Sequence, residues 1–153
     1  MTTIAYDSKL GIVAADSQEV SGCDKYNCQK LFRSRGHVIA TAGGSYAGMI
    51  FVRWFESWNE DGEPDWDDHP DLINLDWEED FECLVIGPDK TCYMVNRLFV
   101  PNDATGDRFV TLGSGGSAAR GALFAGATPV EAVEIAKRID TYTGGEVKYE
   151  KIA

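Results

Sequence analysis

The chain opens MTTIAYDSKLGIVAADS, so an apolar run begins almost at its first residue. Chain ends fray unless something ties them down. A strand that starts at residue 2 therefore constrains the fold. Either it is an edge strand, or the terminus itself sits inside the molecule. Residues 2–7 read as a first strand, 8–9 as a turn and 10–16 as a second strand. The run GIVAAD is apolar and rich in strand formers, as a buried strand is.

Further along, residues 30–33 and 37–41 read as a short hairpin turned by Ser34, Arg35 and Gly36. Ser45 follows two glycines and is placed to cap a helix whose apolar residues Ile50, Phe51, Trp54, Phe55 and Trp58 recur at helical spacing. Residues 59–80 then read as an irregular, acidic, Trp-rich insert, a solvated loop with a few aromatic anchors or a partner-binding face. Residues 81–87 and 91–96 form a second predicted hairpin, and 109–112 a further strand. That strand runs into Gly113, Ser114, Gly115 and Gly116, and then a helix over 117–125. Thr128, Pro129 and Glu131 carry the signature of a capped helix start, with Glu131 at the capping-box position. That helix reaches about Asp140, and residues 146–151 read as a last strand. Antiparallel strands with grouped helices imply an α+β plan of two sheets between helical layers.

Composition narrows the function. At 153 residues the chain has the length of one domain and can bury a core without a metal or disulfide staple. The formal net charge of −11 argues against nucleic acid and anionic membranes as partners. No apolar run approaches the roughly 18 residues of a spanning helix. The start has neither a basic region nor an apolar core of a secretory signal, so a cytoplasmic location is expected. Cys23, Cys28, Cys83 and Cys92 lack the tight spacing of zinc knuckles, so reduced, partly buried thiols are expected.

The chemistry-bearing pieces are individually ordinary. Thr2 is a common second residue, Asp16 suits a turn, and Lys30 suits a surface. Ser114 sits in a GSGG segment that lacks the GK[ST] of a phosphate loop. Taken in order, however, MTTIAYD, VAADS, QKLFR, TAGGS, LGSGGSAARGAL and RIDTYTGG resemble the proteasome β-subunit family of N-terminal nucleophile (Ntn) hydrolases, and most closely its HslV-like peptidases. Six matches in order over most of the chain are far more specific than any one.

The resemblance implies a single Ntn-hydrolase domain over 1–153, built as a four-layer αββα sandwich. It implies a threonine-type peptidase, with Met1 removed because Thr2 is small. Thr2 would be the nucleophile and its own freed α-amine the base. Lys30 would lower the pKa of that amine, and Asp16 would hold Lys30. Ser114, Asp140 and Thr143 would orient the amine, and the Gly43 N–H would stabilise the oxyanion. No cofactor is required, although a structural monovalent or divalent cation is compatible with backbone carbonyls of Lys137, Asp140 and Thr143.

The implied partners are other copies in a homo-oligomeric ring, hexameric or heptameric and stackable, with an ATP-dependent unfoldase and unfolded protein as substrate. The family's second long helix is replaced here by the acidic insert, at the place where an unfoldase would dock. Two alternatives stand beside this one: a catalytically weak or inactive ring that binds or scaffolds, and a small-molecule amidase of the same nucleophile class.

Overall fold

A computed structural model describes residues 2–58, 64–70 and 80–152. Its first strand, β1 (Ile4–Asp7), is not an edge. It lies between β2 (Ile12–Ala15) and β10 (Phe109–Leu112), both antiparallel to it, with Ile4 opposite Ala15 on one side and Leu112 on the other. The last strand, β11 (Lys148–Lys151), pairs with β2 and completes a four-stranded sheet in the order β10-β1-β2-β11. The start of the chain is therefore held from both sides.

The second sheet has five antiparallel strands in sequence order. They are β5 (Leu31–Ser34), β6 (His37–Gly43), β7 (Phe81–Ile86), β8 (Cys92–Asn96) and β9 (Pro101–Asp103). A separate two-stranded hairpin, β3 (Gln18–Ser21) with β4 (Asp24–Asn27), projects between the two sheets in chain order.

Strand alternation explains the packing. Ile4, Tyr6, Val13 and Ala15 face one way and share a core with Val38, Ala40, Leu84 and Ile86 of the second sheet. Ala5 and Ala14 face the other way, onto α2 (Gly116–Phe124) and α3 (Pro129–Ile139), where they meet Ala119, Leu123, Ala132, Val133 and Ala136. Both faces of β1 and β2 are thus buried, which is why β2, Ile12–Ala15, is apolar throughout. The facing alanines let helix and sheet backbones approach closely. Helix α1 (Ser45–Ser57) covers the other sheet through Phe51, Val52 and Phe55 against Ile39, Phe81, Cys83 and Val85.

Several expectations need correction. Helix α1 is capped by Gly44, which has extended geometry and makes no side-chain bond, and Ser45 is the first helical residue. The β3–β4 hairpin and β9 were not anticipated. The last strand starts at Lys148 rather than residue 146. The predicted cap of α3 does form: Thr128 Oγ1 accepts the Glu131 N–H at 3.3 Å and donates to Glu131 Oε1 at 2.9 Å.

Most of the 59–80 insert lies outside the described residues. Its described part, 64–70, forms turns whose Trp66 packs on Phe51 and Trp54, while the Trp54 indole donates to the Asp68 carbonyl at 2.6 Å. His69 stacks on Phe99. All four cysteines are free; Cys83 and Cys92 are buried, and burial pushes the Cys92 thiol up to about 12. Among the described residues no helix is long and apolar enough to cross a membrane.

Candidate active site

Thr2 and Thr3 precede β1 and are buried, at 2% and 0% exposure. What encloses them is the glycine segment after β10. The N–H of Gly115 points to the Thr2 carbonyl at 3.4 Å. A Cβ on Gly113 would stand 1.9 Å from that same carbonyl oxygen, and one on Gly115 would stand 1.9 Å from Thr3 Oγ1. Gly113 also has φ +87°, in the left-handed region that side chains avoid. These glycines therefore serve close approach to the N-terminal residues. Gly113→Ala meets both penalties, and is expected to cost at least about 2 kcal/mol in urea unfolding and to displace Thr2.

Asp16 follows β2 and Lys30 precedes β5, so two sheet ends bring them together. Lys30 Nζ donates to Asp16 Oδ1 at 2.9 Å, with side chains 4% and 0% exposed. Asp16 Oδ1 also accepts the Thr3 N–H at 3.0 Å, while Oδ2 accepts those of Gly144 at 3.0 Å and Gln18 at 3.4 Å. Lys30 Nζ donates as well to the Gln18 carbonyl, at 2.6 Å. A buried ion pair persists only when hydrogen bonds satisfy both partners, and here backbone groups supply them. Gln18 and Gly144 were not singled out in the sequence, because a backbone donor or acceptor leaves no side-chain signature.

Asp140 caps the C-terminus of α3. Its Oδ2 accepts the hydroxyls of Ser114 and Thr143, each at 2.5 Å, and its Oδ1 accepts the Tyr142 N–H at 3.4 Å. Thr143 Oγ1 lies 2.6 Å from Thr3 Oγ1. Since Thr143 gives its one proton to Asp140, Thr3 is the donor in that pair. The network thus reaches the N-terminal strand through Thr3.

Partial burial pushes the Asp140 carboxyl up, but the bonds from Ser114, Thr143 and Tyr142 outweigh it and hold the group below the usual carboxylate range. A lowered folded-state pKa stabilises the fold above the unfolded value of about 3.9 and ceases to do so as pH falls through the folded value. Stability against urea should therefore drop below about pH 4, and Asp140→Asn should flatten that part of the profile.

Two clefts meet at Thr2. One, of about 290 Å³, is lined by Thr2, Lys30 and Gly43 together with Phe32, Thr41 and Met49. The other, of about 580 Å³, is lined by Thr2, Gly43, Gly113, Asp80, Glu82 and Arg97. Gly43 has φ +93°, and a Cβ there would stand 1.9 Å from the Asp80 carbonyl oxygen. The seven predicted site residues thus fall in three linked groups: Thr2, Lys30 and Gly43 on one cleft; Asp16 bonded to Lys30; and Ser114, Asp140 and Thr143 bonded together. Of the three carbonyls expected to hold a cation, that of Asp140 accepts the Thr143 N–H at 3.2 Å, and the Lys137 ammonium pairs with Glu134 at 3.2 Å.

No family model matches the chain, and no curated protein does. Solved structures do. BPH of Thiobacillus denitrificans in complex with epoxomicin superposes with a TM-score of 0.75 over 99% of this chain and 100% of that one, at 19% identity. BPH alone gives 0.71 over 99% and 98%, again at 19% identity. HslV from Trypanosoma brucei gives 0.67 over 97% and 98%, also at 19% identity. The fold is HslV-like. In this HslV-like, proteasome β-type fold the expected α+β class holds, with sheets and, among the described residues, three helices.

Proposed function

We propose that the chain is a subunit of a self-compartmentalising N-terminal threonine peptidase that cuts unfolded polypeptides once Met1 is removed. The observation that carries this reading is that Thr2, Lys30 and Gly43 line one cleft, with Thr2 buried. In the reaction, the freed Thr2 amine takes the Oγ proton as Oγ adds to the substrate carbonyl carbon. The carbonyl oxygen, now anionic, is met by the Gly43 N–H. Collapse breaks the C–N bond, and the amine passes its proton to the departing nitrogen. Water, deprotonated by the same amine, then hydrolyses the Thr2 ester and restores the hydroxyl. An α-amine has a reference pKa of about 7.7–8.0 and works near neutral pH. The Lys30 ammonium, held by Asp16 and the Gln18 carbonyl, favours its neutral form. The network of Ser114, Asp140 and Thr143 fixes the N-terminal strand through Thr3.

The same reading includes one domain in the four-layer αββα order, consistent with the three core clusters. It also includes a cytoplasmic homo-oligomeric ring, an ATP-dependent unfoldase as partner, and a structural cation on carbonyls of Lys137, Asp140 and Thr143. The likeness to BPH, whose structure contains epoxomicin, supports an epoxyketone as a ligand here. The test is incubation of the purified, Met1-free protein with an unfolded casein-like substrate. Release of peptides is expected. A stable ring with an intact Thr2 amine and no release would favour the inactive, binding ring.

A further inference from the structure

Thr2 and Gly43 belong to both clefts. A peptide bond lying across Thr2 must put its acyl half in one and its amine half in the other. The smaller cleft is lined by Lys30, whose ammonium is paired with Asp16, and by neutral residues including Phe32, Thr41 and Met49. The larger presents two carboxylates, Asp80 and Glu82, and one guanidinium, Arg97. Cleavage gives the amine half a free amino group, which takes up a proton near neutral pH. Among the described residues the smaller cleft offers that cation no carboxylate, its Lys30 being already paired with Asp16; beside Glu82 the cation is attracted. The order of release agrees. The amine half departs first, while the acyl half stays bonded to Thr2 until water arrives. The cleft of twice the volume suits the half that leaves.

We propose that the cleft of Glu82, Asp80 and Arg97 is the leaving-side subsite, and that it selects lysine or arginine over aspartate or glutamate as the first residue beyond the scissile bond. Glu82 is its fixed charge. It stands near the start of β7, and its Oε1 accepts the Gly113 N–H at 3.2 Å. A carboxylate already tied in place loses less freedom on meeting a ligand than a loose one. Asp80 and Arg97 are exposed and stand at the rim. The same bond joins the second sheet to the glycine segment that encloses Thr2, so the charge that meets the leaving half sits at a known position relative to the nucleophile.

This proposal rests on the threonine-peptidase reading, and the test separates the two. Peptides sharing one acyl-side sequence, with Lys, Ala or Asp at the first leaving-side position, are cut by the Met1-free protein at about 20 mM salt, where surface charges are little screened. A kcat/KM ratio of about tenfold for Lys over Asp is expected, shrinking toward one in 1 M salt. Glu82→Gln keeps an acceptor for the Gly113 N–H and should lower the ratio about threefold, a comparison in which any uniform loss of activity cancels. Asp80→Asn leaves that bond untouched and should lower the ratio as well.

A ratio near one in the parent protein at low salt, or one that neither variant changes, overturns the subsite. A peptide epoxyketone carries only an acyl-side sequence, so its attachment to Thr2 reports the chemistry alone. Attachment with a flat ratio overturns the subsite and leaves the peptidase standing; neither attachment nor cleavage overturns both.

Discussion

Lys30→Ala should unfold roughly 10 °C below the parent protein and lose at least about 100-fold in turnover. The first effect follows from burial. Asp16 is fully buried, and removing one partner of a buried ion pair typically costs about 3–5 kcal/mol. The second follows from position, because Lys30 lines the cleft with Thr2 and the proposed mechanism uses its ammonium to keep the amine neutral. A double variant, Lys30→Met with Asp16→Asn, separates the two. It removes both charges and keeps one acceptor oxygen, for the N–H of either Thr3 or Gly144, so part of the stability should return while the activity does not. Calorimetry and peptide hydrolysis on the three proteins measure this. An active double variant would show that the cation has no part in the chemistry.

Thr2→Ala should abolish hydrolysis, with a loss of about 10⁴-fold or more, because the proposed mechanism puts nucleophile and base in that one amino acid. The fold should survive. Thr2 is held through its backbone, by the N–H of Gly115 on its carbonyl, and the side-chain bond to Thr143 belongs to Thr3 instead. An unchanged melting temperature with vanished turnover is the expected pair of results. Residual hydrolysis within tenfold of the parent would move the nucleophile elsewhere.

How much of this could be read from the sequence depends on which atoms do the work. The strands around the site were legible because β1, β2, β6 and β7 are mostly apolar, and β5 because the turn at Ser34, Arg35 and Gly36 joins it to β6. The α3 start was legible because Thr128, Pro129 and Glu131 act through local geometry. The β3–β4 hairpin was missed for a physical reason: β4 is exposed along its whole length, so no buried face imposes an alternation on it. The three-residue β9 is too short for a period.

Within the site, Asp16, Lys30, Ser114, Asp140 and Thr143 are individually ordinary side chains, and only their order along the chain, through the resemblance, singled them out. The Gln18 carbonyl and Gly144 N–H that complete the ion pair are backbone atoms, invisible to residue type. Gly113 and Gly115 were read as a helix entry, whereas the closeness of the N-terminal residues explains them better. Glu82 gave no signal, since a glutamate at a strand start is ordinary until Gly113 is found against it.

The account depends on the amino group of Thr2 being free and on its hydroxyl being the group that reacts. One experiment addresses both: intact and peptide-level mass spectrometry of the purified protein before and after exposure to a peptide epoxyketone, which needs an amine and a hydroxyl on the same residue to close its ring. The predicted result is a chain lacking Met1 that gains one inhibitor, with the added mass on Thr2. A mature chain that keeps Met1, or an inhibitor found on any other residue, would contradict it.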